Sequence, residues 1–182
     1  NRMGFPGKGA EYASRQLSAV SNRSAVIGVN LGKNKDTPLE EAASDYIELM
    51  RILAPLADYL AINISSPNTV GLRRLQGREM LEGLLGAIDK KRQTSKVKCP
   101  VLVKIAPDLS NEELDDAIGV ILDKGMDGVI ATNTTLAREG LRSMHQGETG
   151  GLSGSPLRGR SEAVLSRGVE LVSGEVPSMS AG

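Results

Sequence analysis

The sequence predicts an α/β fold built on a parallel sheet, and three observations support this. Four short, β-branched-rich apolar runs recur at residues 25–29, 59–62, 101–103 and 128–131. None alternates polar with apolar residues over most of its length, which is the pattern of strands covered on both faces. Segments with helical apolar spacing separate the runs, and strand–helix–strand repetition produces right-handed βαβ units.

After the first run, Ala25-Val-Ile-Gly-Val29, the stretch Thr37-Pro38-Leu39-Glu40 reads as a capping box. Thr37 is the N-cap, Pro38 takes the first helical position and Glu40 the third. Ala43, Ile47, Met50 and Leu53 then keep one helical face. After the second run, Tyr59-Leu-Ala-Ile62, a helix is predicted over residues 78–91. After the third, Val101-Leu-Val103, a second box at Ser110-Asn111-Glu112-Glu113 precedes Leu114, Ile118 and Ile121. Gly125 supplies the left-handed residue that ends that helix before the fourth run, Gly128-Val-Ile-Ala131.

At 182 residues the chain holds one domain with a core of its own. Lys+Arg and Asp+Glu balance at 22 each, so no overall field draws it to nucleic acid. Three Tyr, one Phe and no Trp make a poor base-stacking surface. The single Cys99 excludes an internal disulfide and reads as a small apolar residue entering a strand. No apolar run approaches the roughly 20 residues of a membrane helix. The chain opens at Asn1 without Met or a signal-like segment, as expected of an internal piece of a longer protein.

The chemistry gathers where the apolar runs stop. The first leads into Asn30-Leu-Gly-Lys-Asn34, the second into Asn63-Ile-Ser-Ser-Pro-Asn68, the third into Lys104 and the fourth into Thr132-Asn-Thr134. The carboxyl ends of successive parallel strands share one face, and ligands bind there in α/β barrels and open sheets alike. These groups are neutral amides and hydroxyls with one cation, a set that can address both edges of a planar, imide-like ring. No His or carboxylate pair has metal-ligand spacing, so no metal is expected. The only histidine, His145, lies in a Gly-rich loop and reads as solvated rather than as part of a triad. Lys104 admits three readings: an imine-forming nucleophile, a fixed charge beside an anion, or a salt bridge to Asp108. Thr149-Gly-Gly-Leu-Ser-Gly154 could bring backbone N–H groups to a phosphate. Arg73 and Arg74 read as solvated.

Taken in order, Asn1-Arg-Met-Gly-Phe5, Asn30-Leu-Gly-Lys-Asn-Lys35, Asn63-Ile-Ser-Ser-Pro-Asn-Thr69, Val103-Lys-Ile-Ala-Pro-Asp108, Thr132-Asn-Thr-Thr135 and Thr149-Gly-Gly-Leu-Ser-Gly154 resemble class 2 dihydroorotate dehydrogenase. The match runs from residue 1 to about 157, and residues 158–182 follow the family only loosely. The resemblance implies an FMN-containing (β/α)8 TIM barrel that oxidises dihydroorotate to orotate in pyrimidine synthesis. Ser66 matches the catalytic base, and because the soluble class carries Cys there, it implies the quinone-linked, membrane-associated class. Phe5 and Thr69 match positions around the proton relay. Asn1, Asn63, Asn68, Asn133 and Thr134 match residues that bind the pyrimidine and its carboxylate, with Arg2, Met3, Gly4 and Phe5 forming the adjoining turn. Lys104 matches the residue beside the pyrimidine end of the flavin, and Asn30, Asn63, Thr132 and Gly154 match further FMN contacts.

The same correspondence assigns the chain the third to sixth strands of a barrel that needs about 250 residues in full. Val176-Pro177 resembles the start of the seventh strand, but Ser178-Met-Ser-Ala-Gly182 replaces the family's apolar run and Gly-Gly phosphate loop. Those five residues are therefore expected to lie outside the native fold, and the isolated chain is expected to be inactive. The quinone site and the peripheral membrane contact are expected in segments beyond this chain, at a bacterial inner membrane or, alternatively, a mitochondrial one. Two other readings are a Schiff-base lyase using Lys104 and a non-catalytic half-barrel serving as a binding module.

Overall fold

Five parallel strands form one sheet in a computed structural model that describes residues 2–20, 24–95 and 98–181. They are β1 (Gly28–Leu31), β2 (Tyr59–Asn63), β3 (Val101–Ile105), β4 (Gly128–Ala131) and β5 (Ser178–Ser180). Spatial order equals chain order. Each connection therefore steps to the next strand, as in a β/α barrel, without the order reversal of a doubly wound sheet. The connections carry α2 (Ala42–Leu53), α3 (Arg78–Ser95), α4 (Asn111–Asp123) and α5 (Ser155–Val172), and α1 (Ala10–Ala19) precedes β1.

Alternate residues of each strand face opposite sides. Ile62, Val103 and Val129 point to the helices and join the main core with Tyr46, Met50, Leu85, Ile88, Leu114 and Ile121. Ala61, Leu102 and Ile130 form a separate small cluster on the other side, with Tyr59 and Ala181 packed against it. That side is the inner wall of a barrel. At its floor the Tyr59 ring lies so close over Gly28 that a Cβ there would fall into it. The Tyr59 hydroxyl lies 4.0 Å from the Met179 sulfur on β5.

The sequence places α4 correctly. Ser110 Oγ accepts the Glu113 N–H at 3.2 Å, and Glu113 accepts the Ser110 N–H at 2.7 Å. Gly125 (φ 63°) ends the helix with N–H bonds from Met126 to Ile121 and from Gly125 to Leu122. Other expectations need correcting. The first strand is residues 28–31, not 25–29, because β2 begins at Tyr59 and Gly28 is its register partner. Thr37 does not cap a helix: Pro38 precedes a 3-10 turn, Leu39–Glu41, that leads into α2 with no side-chain cap. Residues 178–180 do belong to the fold, since Ser178, Met179 and Ser180 pair with Val129, Ile130 and Ala131. The sheet thus has a fifth strand beyond the four expected.

Candidate active site at the strand ends

Register aligns the polar residues on the inner wall. Asn63 is the partner of Lys104, and Lys104 the partner of Ile130, so all three project to the same side. The amides link up across the rim. Asn63 Nδ2 donates to Asn30 Oδ1 at 3.1 Å, and Asn133 Nδ2 donates to Asn63 Oδ1 at 3.2 Å and to Ser65 Oγ at 3.1 Å. Asn133 Oδ1 in turn accepts the Thr134 N–H at 2.8 Å. The ends of β1, β2 and β4 are joined in one amide chain.

The rear of this chain is fixed from the helix side. The buried Tyr46 hydroxyl donates to the Asn63 carbonyl at 3.0 Å, and burial raises its pKa far above the usual phenol range. Lys33 is also buried and gives its ammonium to the carbonyls of Asn34 and Thr37, which closes the loop after β1.

Lys104 is half-buried, and no carboxylate pairs with it among the described residues. Desolvation alone lowers its pKa. The Asp108 alternative fails, because Asp108 pairs with Arg73 at 2.6 Å. The sequence also misplaced Arg73, which is not a solvated residue. Its guanidinium donates to the Ser65 carbonyl at 3.0 Å and the Thr134 carbonyl at 2.6 Å. Two adjacent arginines in a polar stretch give no hint of which one turns inward. Burial alone would raise the pKa of Asp108, but hydrogen bonds from Thr135 and Arg73 outweigh it and hold the carboxyl below its usual range.

Ser66 is 6% exposed, and its Oγ accepts the Asn68 N–H at 3.3 Å. Thr69 is buried and Asn68 half-buried beside it. Thr132 is buried, but its hydroxyl turns from the amide chain toward the Asn133 carbonyl and Ser161 Oγ, 3.0 and 3.2 Å away. Gly154, with φ 78°, immediately precedes α5. Phe5 stacks on Gly32 at the β1 side of the rim, where a Cβ on Gly32 would come within 2.8 Å of its ring. Gly4 has φ 68° and the Met3 side chain is 74% exposed. Arg2 pairs at 2.6 Å with Glu148. Asn1 lies outside the described residues.

The long loop after β4 is closed at its base. Thr135 and Leu152 exchange backbone bonds at 3.0 and 2.8 Å, and Arg138 donates to the Gly150 carbonyl at 2.6 Å. Gly151 lies against Thr134 and Pro67: a Cβ there would land on the Thr134 hydroxyl and 3.1 Å from Pro67. His145 is exposed in this loop. No group of three His, Cys, Asp or Glu that could hold a metal occurs among the described residues. No helix among them is long and apolar enough to cross a membrane.

The sequence model of the family described as dihydroorotate dehydrogenase matches residues 1–182. A dihydroorotate dehydrogenase (quinone) of Anaeromyxobacter sp. (strain Fw109-5) is 48% identical over 185 residues, covering 100% of this chain and 51% of that protein. One of Thermus thermophilus is 50% identical over 167 residues, covering 91% and 47%. Among solved structures, DHODH in complex with ferulenol from Eimeria tenella superposes with a TM-score of 0.93 at 38% identity, covering 100% of this chain and 55% of that one. The chain spans about half the length of the curated relatives it matches.

Proposed function

The chain belongs to the dihydroorotate dehydrogenase family, and from that premise we propose that its parent protein oxidises dihydroorotate to orotate. The residues present would hold FMN as the cofactor, with a quinone as the final electron acceptor. The observation that carries this reading is the amide chain Asn30–Asn63–Asn133, set on one inner wall beside Lys104, which has no carboxylate partner among the described residues. The donor set suits a flavin. Ala61, Leu102 and Ile130 would offer an apolar floor and the strand-end amides its polar edge, and Lys104, with no carboxylate partner among the described residues, would supply a positive charge to a reduced ring. When bound, FMN supplies the hydride acceptor.

The chain's own residues supply the rest. Ser66 Oγ takes the proton from the substrate carbon next to the carbonyl. A serine is a weak base, so its surroundings must favour a developing negative charge. The Asn68 N–H pointing at Oγ favours that charge and offsets part of the penalty that burial of Ser66 places on it. Thr69 and Phe5 flank the path by which the proton leaves. Asn63, Asn68, Asn133 and Thr134 hold the flat ring and carboxylate of the substrate, and Asn1 and residues 2–5 add further substrate contacts. Lys104 holds positive charge where electrons arrive. Asn30, Thr132 and Gly154 complete the cofactor contacts. A quinone acceptor is lipid-soluble, so we place the parent protein at a bacterial inner membrane, in keeping with its bacterial relatives. Rapid mixing of the flavin-loaded parent with dihydroorotate tests the proposal: the flavin absorbance bleaches, and Ser66→Ala abolishes the fast phase. A Ser66→Ala variant that bleaches at the parent rate refutes it.

A further inference from the structure

Arg73 sits in the 3-10 turn Leu72–Gln76 that follows β2. Its three guanidinium nitrogens reach three loops. Nε donates to the Ser65 carbonyl at 3.0 Å, Nη1 to the Asp108 carboxylate at 2.6 Å and Nη2 to the Thr134 carbonyl at 2.6 Å. These acceptors follow β2, β3 and β4 in turn. The Ser65 carbonyl belongs to the peptide that leads into Ser66, and Thr134 directly follows Asn133.

β2 and β4 are not neighbours, because β3 lies between them. Ladder hydrogen bonds therefore do not set the distance between the loop bearing Ser66 and the loop bearing Asn133. Two sets of side-chain hydrogen bonds do: the Asn133 amide on Asn63 Oδ1 and Ser65 Oγ, and the Arg73 fork on the Ser65 and Thr134 carbonyls. The fork is itself braced: Asp108 also accepts the Thr135 hydroxyl, the Leu136 N–H at 3.1 Å and Arg160 at 3.4 Å. A planar, permanently charged fork can hold three acceptors in fixed directions, whereas a lysine ammonium cannot span them.

We propose that Arg73, braced by Asp108, is a positioning residue that sets Ser66 against the substrate amide Asn133 across the intervening strand. The inference rests on the reading of Ser66 as the base. It predicts that Arg73 acts on the rate of proton removal through Ser66 and not on cofactor retention.

The test is a double-mutant cycle in the flavin-loaded parent protein, following flavin bleaching at saturating dihydroorotate. Arg73→Lys lowers the rate by about 100-fold, the scale of a misplaced reacting group, with flavin content unchanged. In the Ser66→Ala background the same substitution changes the residual rate by no more than about twofold, within ordinary additivity error. An equal loss in both backgrounds, or no loss in the first, overturns the proposal. Should Arg73→Lys fail to yield folded protein, Asp108→Asn keeps the shape while slackening the fork. In the same cycle, a rate loss confined to the Ser66 background supports the proposal, and an equal loss in both backgrounds or none overturns it. A parent that never bleaches with dihydroorotate removes the functional reading before any variant is compared.

Discussion

Asn63 and Asn133 meet through their side-chain amides at 3.2 Å although 70 residues separate them. With Asn30 on the far side of Asn63, each amide satisfies the next, and the row is usable only while complete. Asn63→Ala leaves the exposed Asn30 and the half-buried Asn133 short of a partner and takes the acceptor from the buried Ser65 N–H. The expected cost is about 1–3 kcal/mol of stability, the usual penalty for an orphaned buried polar group. Thermal unfolding of the parent with and without orotate checks this, and a melting point equal to wild type refutes it.

Asp108 gives the fold an acid-side sensitivity. Its folded-state pKa lies below that of the unfolded carboxyl. Between the two values the unfolded chain binds more protons, so stability rises with pH there. The contribution is complete above the ordinary carboxylate range and disappears as pH falls through the lowered value. Urea titrations from neutral to strongly acid pH should therefore converge for wild type and Asp108→Asn at the acid end and diverge at neutrality.

Lys104 has the opposite character. Its ammonium is disfavoured in the fold, so its folded-state pKa is lowered and stability rises as pH climbs toward the ordinary lysine range. Lys104→Met removes that slope. In the parent protein the same substitution weakens flavin binding by roughly 10- to 100-fold, the scale of a lost charged hydrogen bond. Equilibrium dialysis against FMN reads the effect, and unchanged retention contradicts it.

Gly151 has no room for a methyl group. Gly151→Ala forces Thr134 and Pro67 aside, the first proposed above to contact substrate and the second adjoining Ser66. Overpacking of this kind costs about 1–3 kcal/mol. The expected signature is a raised KM for dihydroorotate together with a lower Tm. Gly119 in α4 has nothing within 4 Å of its would-be Cβ, so Gly119→Ala serves as the control: KM stays unchanged and Tm is equal or higher, because Ala is the better helix former.

Among the described residues of the 182-residue chain, β1 and β5 each pair along one edge only. The chain on its own should bind FMN weakly or not at all and show no measurable turnover. A stoichiometric yellow complex in the purified chain would falsify this.

Much of this architecture is legible in the sequence because buried strands need β-branched-rich apolar runs, as at residues 101–103, and because a local cap such as Ser110–Glu113 is chosen by four residues alone. The strand-end amides follow from the same runs. What escapes is decided at long range. Arg73 and Arg74 look alike until the loops after β3 and β4 arrive with their acceptors. At Thr37 the local box loses to Lys33, whose buried ammonium takes the Thr37 carbonyl. α5 hides because Leu157, Val164 and Val172 are spaced too sparsely to mark a face, with Gly168 buried between them. β5 hides because Ser-Met-Ser carries no strand signature and is defined by its partner, β4.

The Tyr59 ring is set on the second strand yet reaches both outermost ones, filling the space over Gly28 and approaching Met179. A single aromatic side chain thus fills the concave side of the arc from one edge strand toward the other and resists tighter bending. An alanine at position 28 would push against that ring and open the arc, disturbing closure far from any residue that touches substrate.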